Sequence, residues 1–298
     1  VINRREFLKV GSVAIGGSVV LPAATYAVGI EPTWIETREV PLGLPQLDPR
    51  LAGLRVLQLS DIHRSDQVSA EYLESAIEMA AATQPELVLL TGDFITHDRK
   101  LFRDVAQRLA PLARIAPSFA VPGNHDYDHW YRWSQPGMPQ GAELLGEELA
   151  KHNITLLRNR SIELAPRGSD ARLQLVGLDD VWSSHFAPER AFDRPVSPNV
   201  TRIVLCHNPD GYRLVEQQPF DLMVCGHTHG GQVHLPWIGV PYRCVEDARF
   251  IAGLVQVPPH QVYVNRGLGW NRRIRWGVRP EISRLTLHPA DTTSHPAG

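Results

Sequence analysis

Short apolar runs recur along this chain, and several end on a residue able to bind a metal. Leu54–Leu59 leads into Ser60-Asp61-Ile62-His63, Leu87–Thr91 into Gly92-Asp93, and Ser118–Val121 into Pro122-Gly123-Asn124-His125-Asp126. Further on, Arg202–Cys206 leads into His207 and Leu222–Cys225 into Gly226-His227-Thr228-His229. Runs of this length and composition read as buried strands. Between them lie helix-period segments over 69–83, 101–112 and 142–152, the first with Leu73, Ile77 and Ala80 on one face. Alternating strands and helices predict an α/β fold whose sheet is largely parallel in its first half. Ligands of such sheets bind outside the carboxyl ends of the strands. The strand ends therefore deliver Asp, Asn and His side chains to one edge. Trp34–Val40 reads as a first strand ended by Pro41, Gly43 and Pro45, and 154–157, 161–164 and 173–178 read as further strands.

The densest of these ends is Gly226-His227-Thr228-His229-Gly230-Gly231-Gln232. Glycine permits a tight turn that aims both imidazoles at one point, and neutral imidazole is the commonest transition-metal ligand. By itself the stretch also fits a glycine-rich turn with two solvated histidines. Asp61 and His63 are two apart, which in extended backbone puts both side chains on one face. Alone, an Asp-x-His also fits a loop with a cap residue.

The chain has 298 residues and 43% hydrophobic content, enough for a large core. Its net charge of -2 gives no support to nucleic-acid binding, which normally shows a basic excess. Cys206, Cys225 and Cys244 are too few for a disulfide framework, and the first two read as small buried hydrophobes. Residues 1–30 place Arg4-Arg5-Glu6-Phe7-Leu8-Lys9 before an uncharged stretch from Val10 to Ile30. This layout is that of an export signal and resembles the twin-arginine type. The expected partner is the twin-arginine export machinery. The expected location is the periplasm or the outer face of the cytoplasmic membrane, with membrane association left open by the uncharged stretch. Residues 31–287 form the expected single domain, and 288–298 read as a disordered tail.

Taken together, Asp61-Ile62-His63, Gly92-Asp93, Gly123-Asn124-His125-Asp126, His207 and Gly226-His227-Thr228-His229 resemble the motifs of the calcineurin-like metallophosphoesterases, in that family's order. The likeness covers 54–232, and Asn265-Arg266-Gly267-Leu268-Gly269 resembles the twin-arginine-exported bacterial subgroup. The resemblance implies a four-layer αββα sandwich with two facing mixed β-sheets. It implies two divalent cations, one held by Asp61, His63, Asp93 and His229, the other by Asp93, Asn124, His207 and His227, with Asp93 bridging. A mixed nitrogen and oxygen donor set suits Mn, Fe or Zn better than Mg or Ca. The implied reaction is attack on a phosphodiester, pyrophosphate or phosphomonoester by hydroxide generated between the cations. His125 is the implied proton donor to the leaving oxygen, with Asp126 fixing its ring and keeping it charged. A binding protein without turnover and a nuclease of the same family are the alternatives.

Substrate determinants are thinner. Trp130 and Trp133 follow the His125 motif and are candidate substrate contacts, and Asn208 beside His207 could reach a phosphate oxygen. Trp237, Trp270 and Trp276 with Arg272, Arg273 and Arg275 fit an apolar rim and basic patch for a small-molecule or lipid-linked phosphoester. They fit equally well a capped sandwich end with solvated arginines.

Overall fold

The computed structural model describes residues 21–168, 170–193 and 200–290. The Arg4-Arg5 stretch and residues 291–298 lie outside the described residues. One sheet contains β1 (Glu36–Leu44), β2 (Leu54–Leu59), β3 (Leu87–Thr91), β4 (Ser118–Val121), β5 (Ile154–Leu156) and β12 (Glu281–Pro289). The other contains β6 (Arg160–Leu164), β7 (Leu173–Gly177), β8 (Thr201–Leu205), β9 (Leu222–Cys225), β10 (Gly253–Val257) and β11 (His260–Val264). Their orders are β1-β12-β2-β3-β4-β5 and β10-β11-β9-β8-β7-β6. From β2 to β5 the first sheet is parallel, and β12 enters it antiparallel to β2. The second is parallel from β7 to β11 along its order, with β6 and β10 antiparallel at its edges.

Strand periodicity builds the layers. In β2, Leu54 and Val56 point between the sheets, where they join Leu89, Leu175, Ile203 and Val224. Leu57 and Leu59 point the other way. There they meet α1 (Ala70–Ala82), α2 (Leu101–Ile115) and α3 (Gly141–Ala150) through Leu73, Ile77, Val105, Leu109 and Leu145. The outer face of the second sheet is covered by the short helices α4 (Pro188–Phe192) and α5 (Tyr212–Val215), with Phe220 and Phe250. The result is the expected four-layer αββα sandwich with two facing mixed sheets.

Four local expectations need correction. β1 continues through Pro41 and Gly43 to Leu44 rather than stopping there. It is an edge strand paired only with β12, so the missing proline N–H can face outward. β12 takes in His288 and Pro289, the first residues of the expected tail, because they pair with Gly43 and Leu44. The backbone at Asp61 and His63 also differs from the expected extended conformation: β2 ends at Leu59, and both residues have positive φ, 50° and 49°. Left-handed kinks, not an extended backbone, aim them. Finally, Trp270 and Arg275 are fully buried and belong to no basic patch. Among the described residues no helix is long and apolar enough to cross a membrane.

Candidate metal centre

The loops after β2, β3, β4, β8 and β9 meet at one edge of the sandwich. They are laced together through their backbones: Asp61 N donates to Gly92 O (3.0 Å), His63 N to Asp93 O (2.9 Å) and Gly226 N to His207 O (2.9 Å). The loop following β11 closes the other side, with Leu268 N on Ser60 O (3.0 Å) and Gly269 N on Asp61 O (2.7 Å). Arg275 braces that loop from beneath, its guanidinium donating to the carbonyls of Arg266, Gly267 and Gly269.

Each predicted ligand arrives buried at this edge. In the first group, His63 Nε2 lies 3.1 Å from His229 Nε2 and His229 Nε2 lies 3.4 Å from Asp61 Oδ1. In the second, His227 Nδ1 lies 2.9 Å from Asn124 Oδ1 and 3.3 Å from His207 Nε2. One oxygen faces both: Asp93 Oδ2 is 3.5 Å from His63 Nε2 and 3.1 Å from His207 Nε2. Asp61–His63–His229 and Asp93–His207–His227 each present donor atoms within 4.8 Å of one another. His63, Asp93 and His125 form a third such grouping.

Backbone strain and tight packing hold the donors there. Asp61, His63, Asp93, His227 and His229 all adopt positive φ, between 49° and 71°. For residues with a Cβ this conformation is unfavourable and persists only where its surroundings over-determine it. At Gly226 a Cβ would sit 1.8 Å from Ser60 Oγ and 2.3 Å from Asp61 Oδ2, so glycine is required there by close approach. At Gly123 it would sit 2.2 Å from Asp93 Oδ1.

The electrostatics suit cations. Burial and neighbouring His207 push His227 down to about 3, burial and Arg275 do the same to His229, and burial takes His63 well below its ordinary value. These rings therefore keep free lone pairs at neutral pH. Burial raises the Asp61 carboxyl. Asp93 and His207 behave as an ion pair: burial opposes charge on both, yet the imidazoles hold Asp93 low and Asp93 holds His207 high. Metal binding at such a pair releases protons, because the ligands must be deprotonated. Facing imidazole nitrogens and buried carboxylates make a poor core without a cation and a good donor set with one.

His125 stands beside these groups, its ring 4.9 Å from that of His63. Its orientation corrects the sequence reading. His125 Nδ1 bonds Thr96 O at 3.0 Å, and Nε2 accepts from Asn271 Nδ2 at 3.0 Å. Asp126 does neither: its carboxylate accepts the backbone N–H groups of Asp93 (3.1 Å), Phe94 (2.9 Å), Ile95 (3.4 Å) and Gly123 (2.8 Å). A carboxylate surrounded by backbone donors shapes the loops and has no oxygen left for the ring.

Trp130 packs edge-on against His125 with ring centroids 4.5 Å apart. Trp133 instead is 84% exposed and stacks on Tyr131. Asn208 caps a short turn through Oδ1, while its buried Nδ2 has no protein partner. Thr96, Asn271 and Trp182, whose ring meets that of His227 at 5.0 Å, escaped sequence reasoning. They come from loops without a repeating pattern. Asp179 and Asp180 follow β7 much as the donors above follow their strands, but they join no donor group among the described residues. Asp179 is taken up by Tyr127 Oη (2.5 Å) and Arg158 Nε (2.8 Å).

The profile of the calcineurin-like phosphoesterase family matches residues 54–231. The chain is 35% identical to phosphodiesterase YaeI of Escherichia coli, over 96% of this chain and 99% of that one. It is 29% identical to the uncharacterized metallophosphoesterase YkuE of Bacillus subtilis, over 96% and 98%. It is 28% identical to UDP-2,3-diacylglucosamine pyrophosphatase LpxG of Chlamydia muridarum, over 93% and 97%.

Proposed function

We propose, from the premise that this chain belongs to the calcineurin-like phosphoesterase family and is a hydrolase of phosphoric esters, that it cleaves a phosphodiester or pyrophosphate bond at a centre of two divalent cations. The observation that carries the reading is Asp93 Oδ2, a single buried oxygen shared between two donor groups. Asp61, His63, Asp93 and His229 would hold one cation, and Asp93, Asn124, His207 and His227 the other. Mn, Fe or Zn fits the donors. Bound together, such cations supply hydroxide at neutral pH and neutralise phosphoryl charge.

The chain's own residues do the rest. The two histidines of one turn, His227 and His229, belong to different donor groups and so fix the spacing between them. Asn124 aims its amide oxygen at His227 because Nδ2 is committed to His129 O at 2.7 Å. His125 anchors Nδ1 on Thr96 O and turns Nε2 towards Asn271; protonated on Nε2 as well, with the Asn271 amide turned to offer its oxygen, the ring can hand a proton to a leaving oxygen. Trp130 covers one side of that ring and limits water. Asp126 positions the β3 and β4 loops. The preference for a diester or pyrophosphate draws on relatives named for those substrates. Arg4-Arg5 ahead of the uncharged stretch favours action outside the cytoplasm after twin-arginine export.

The test is a substrate panel on full-length protein loaded with Mn²⁺: bis-p-nitrophenyl phosphate, p-nitrophenyl phosphate and a nucleotide pyrophosphate, each with and without chelator. Chelator-sensitive turnover of the diester or pyrophosphate, with two metal equivalents bound, is expected. Turnover of the monoester alone would overturn the substrate class. Metal binding without turnover of any ester would make the chain a binder.

A further inference from the structure

The loops that lead out of the metal centre carry large apolar side chains that face solvent. After His125 come Trp130, Tyr131 and Trp133, all exposed. The loop leaving the His227–His229 turn carries exposed Trp237, Ile238 and Tyr242, and the segment after Asn271 adds Ile274. These three loops are tied together. Gln232 Nε2 donates to Arg272 O and Ile274 O, each at 3.0 Å, and Arg132 pairs with Glu246. Apolar exposure of this kind is unusual for loops that meet only water.

Its tip is the strangest part. Leu235 and Gly239 exchange two backbone hydrogen bonds of 2.9 Å, and the tight turn between them holds Trp237 at φ 62° and 103% relative exposure. A bulky ring in the left-handed region, packed on nothing, does not help this fold. Arg243, Arg272 and Arg273 lie in the same loops, exposed, and none forms an ion pair among the described residues.

The amino-terminal stretch arrives at the same place. Tyr26 packs edge-on against Trp276 at 5.5 Å, and Arg275 N donates to Ala27 O at 2.9 Å. Trp276 in turn pairs with the Trp237 loop, donating from its N to Gln232 O and accepting from His234 N. Leu21, Val28 and Ile30 are exposed there, continuing an uncharged stretch that begins at Val10.

Resting on the phosphoesterase reading above, we propose that these loops form a docking surface for an anionic lipid bilayer, which presents the metal centre to phosphoesters lodged in the membrane. Trp237 and Ile238 enter the interfacial layer, Trp and Tyr rings favour its headgroup depth, and the arginines meet lipid phosphates. Continuity with the uncharged stretch and unpaired positive charge select a bilayer over a protein partner.

The experiment is co-sedimentation of the full chain with vesicles of phosphatidylcholine alone or mixed with phosphatidylglycerol. The wild type should bind the anionic vesicles preferentially. Trp237→Ser with Ile238→Ser should weaken that binding about tenfold. Arg272→Gln with Arg273→Gln should reduce the anionic preference about fivefold for each arginine. Unchanged melting temperature and metal content verify that the variants are folded. The proposal is overturned if the wild type does not sediment, or if both variants sediment like it, which would leave the amino-terminal stretch as sole anchor. A lipid-free dimer abolished by Trp237→Ser would assign the surface to a second copy instead. Turnover of water-soluble bis-p-nitrophenyl phosphate is scored separately: its absence with vesicle binding intact removes the enzymatic reading and leaves the surface.

Discussion

Asn271 reaches His125 from far along the chain and donates its side-chain amide to Nε2 across 3.0 Å, while Asn271 Oδ1 has no partner. A half-turn of that amide would offer the oxygen instead, so the same residue can serve the ring with or without its second proton. Asn271→Asp would place a fixed negative charge there and favour the charged ring. The high-pH limb of the kcat/KM profile should move up by about 1 unit, while Asn271→Ala moves it far less. His125→Ala should depress turnover of esters with poor leaving groups by roughly 10²–10⁴-fold and those with good ones much less. Equal losses on both would remove His125 from proton donation.

His227 and His229 share a turn but face different donor groups. Each alanine variant should lose metal and should lower activity by more than the roughly 10–100-fold typical of outer-shell partners. Metal content by plasma mass spectrometry and steady-state rates check this. Full activity in either variant would dismantle the two-cation assignment.

Gly226→Ala drives a methyl group into Ser60 and Asp61. The expected result is a loss of about 1–3 kcal/mol in unfolding stability together with weaker metal binding. Chemical denaturation and a metal titration on one preparation test both halves. A stable variant with normal metal affinity would mean that the turn has more room than its contacts indicate.

Asp126→Asn separates two roles. As a backbone acceptor, Asp126 loses one oxygen and gains an amide that opposes the N–H groups around it. Stability should fall by about 1–3 kcal/mol, and turnover should drop alike for good and poor leaving groups. A selective loss on poor leaving groups would restore Asp126 as the ring's partner.

Much of this site was readable because a parallel strand ends where its ligand begins. Asp93 follows Leu87–Thr91, and His207 follows Thr201–Leu205 by a single residue. The pattern failed where the pairing is long-range. β12 lies between β1 and β2, where its buried Glu281 is held by Arg266 and Tyr263, partners no local pattern announces. Asn271 and Thr96 act through one amide and one carbonyl, chemistry that nearly any loop offers. Asp126 was misassigned because adjacency to His125 suggested contact, whereas its side chain turns towards the β3 loop.

The entry of β12 between β1 and β2 has a kinetic meaning. Asp61 is held by Gly269, and the loop containing Gly269 is followed directly by β12, whose Glu281 donates its N–H to Gly267 O at 3.0 Å. β1 therefore has no strand partner until β12 is made, and the loop carrying Asp61 lacks its Gly269 contact until the segment before β12 is in place. Connections this distant in sequence make folding slow. The contact that seats Asp61 is therefore closed from the far end of the chain, and its formation is coupled to the entry of β12.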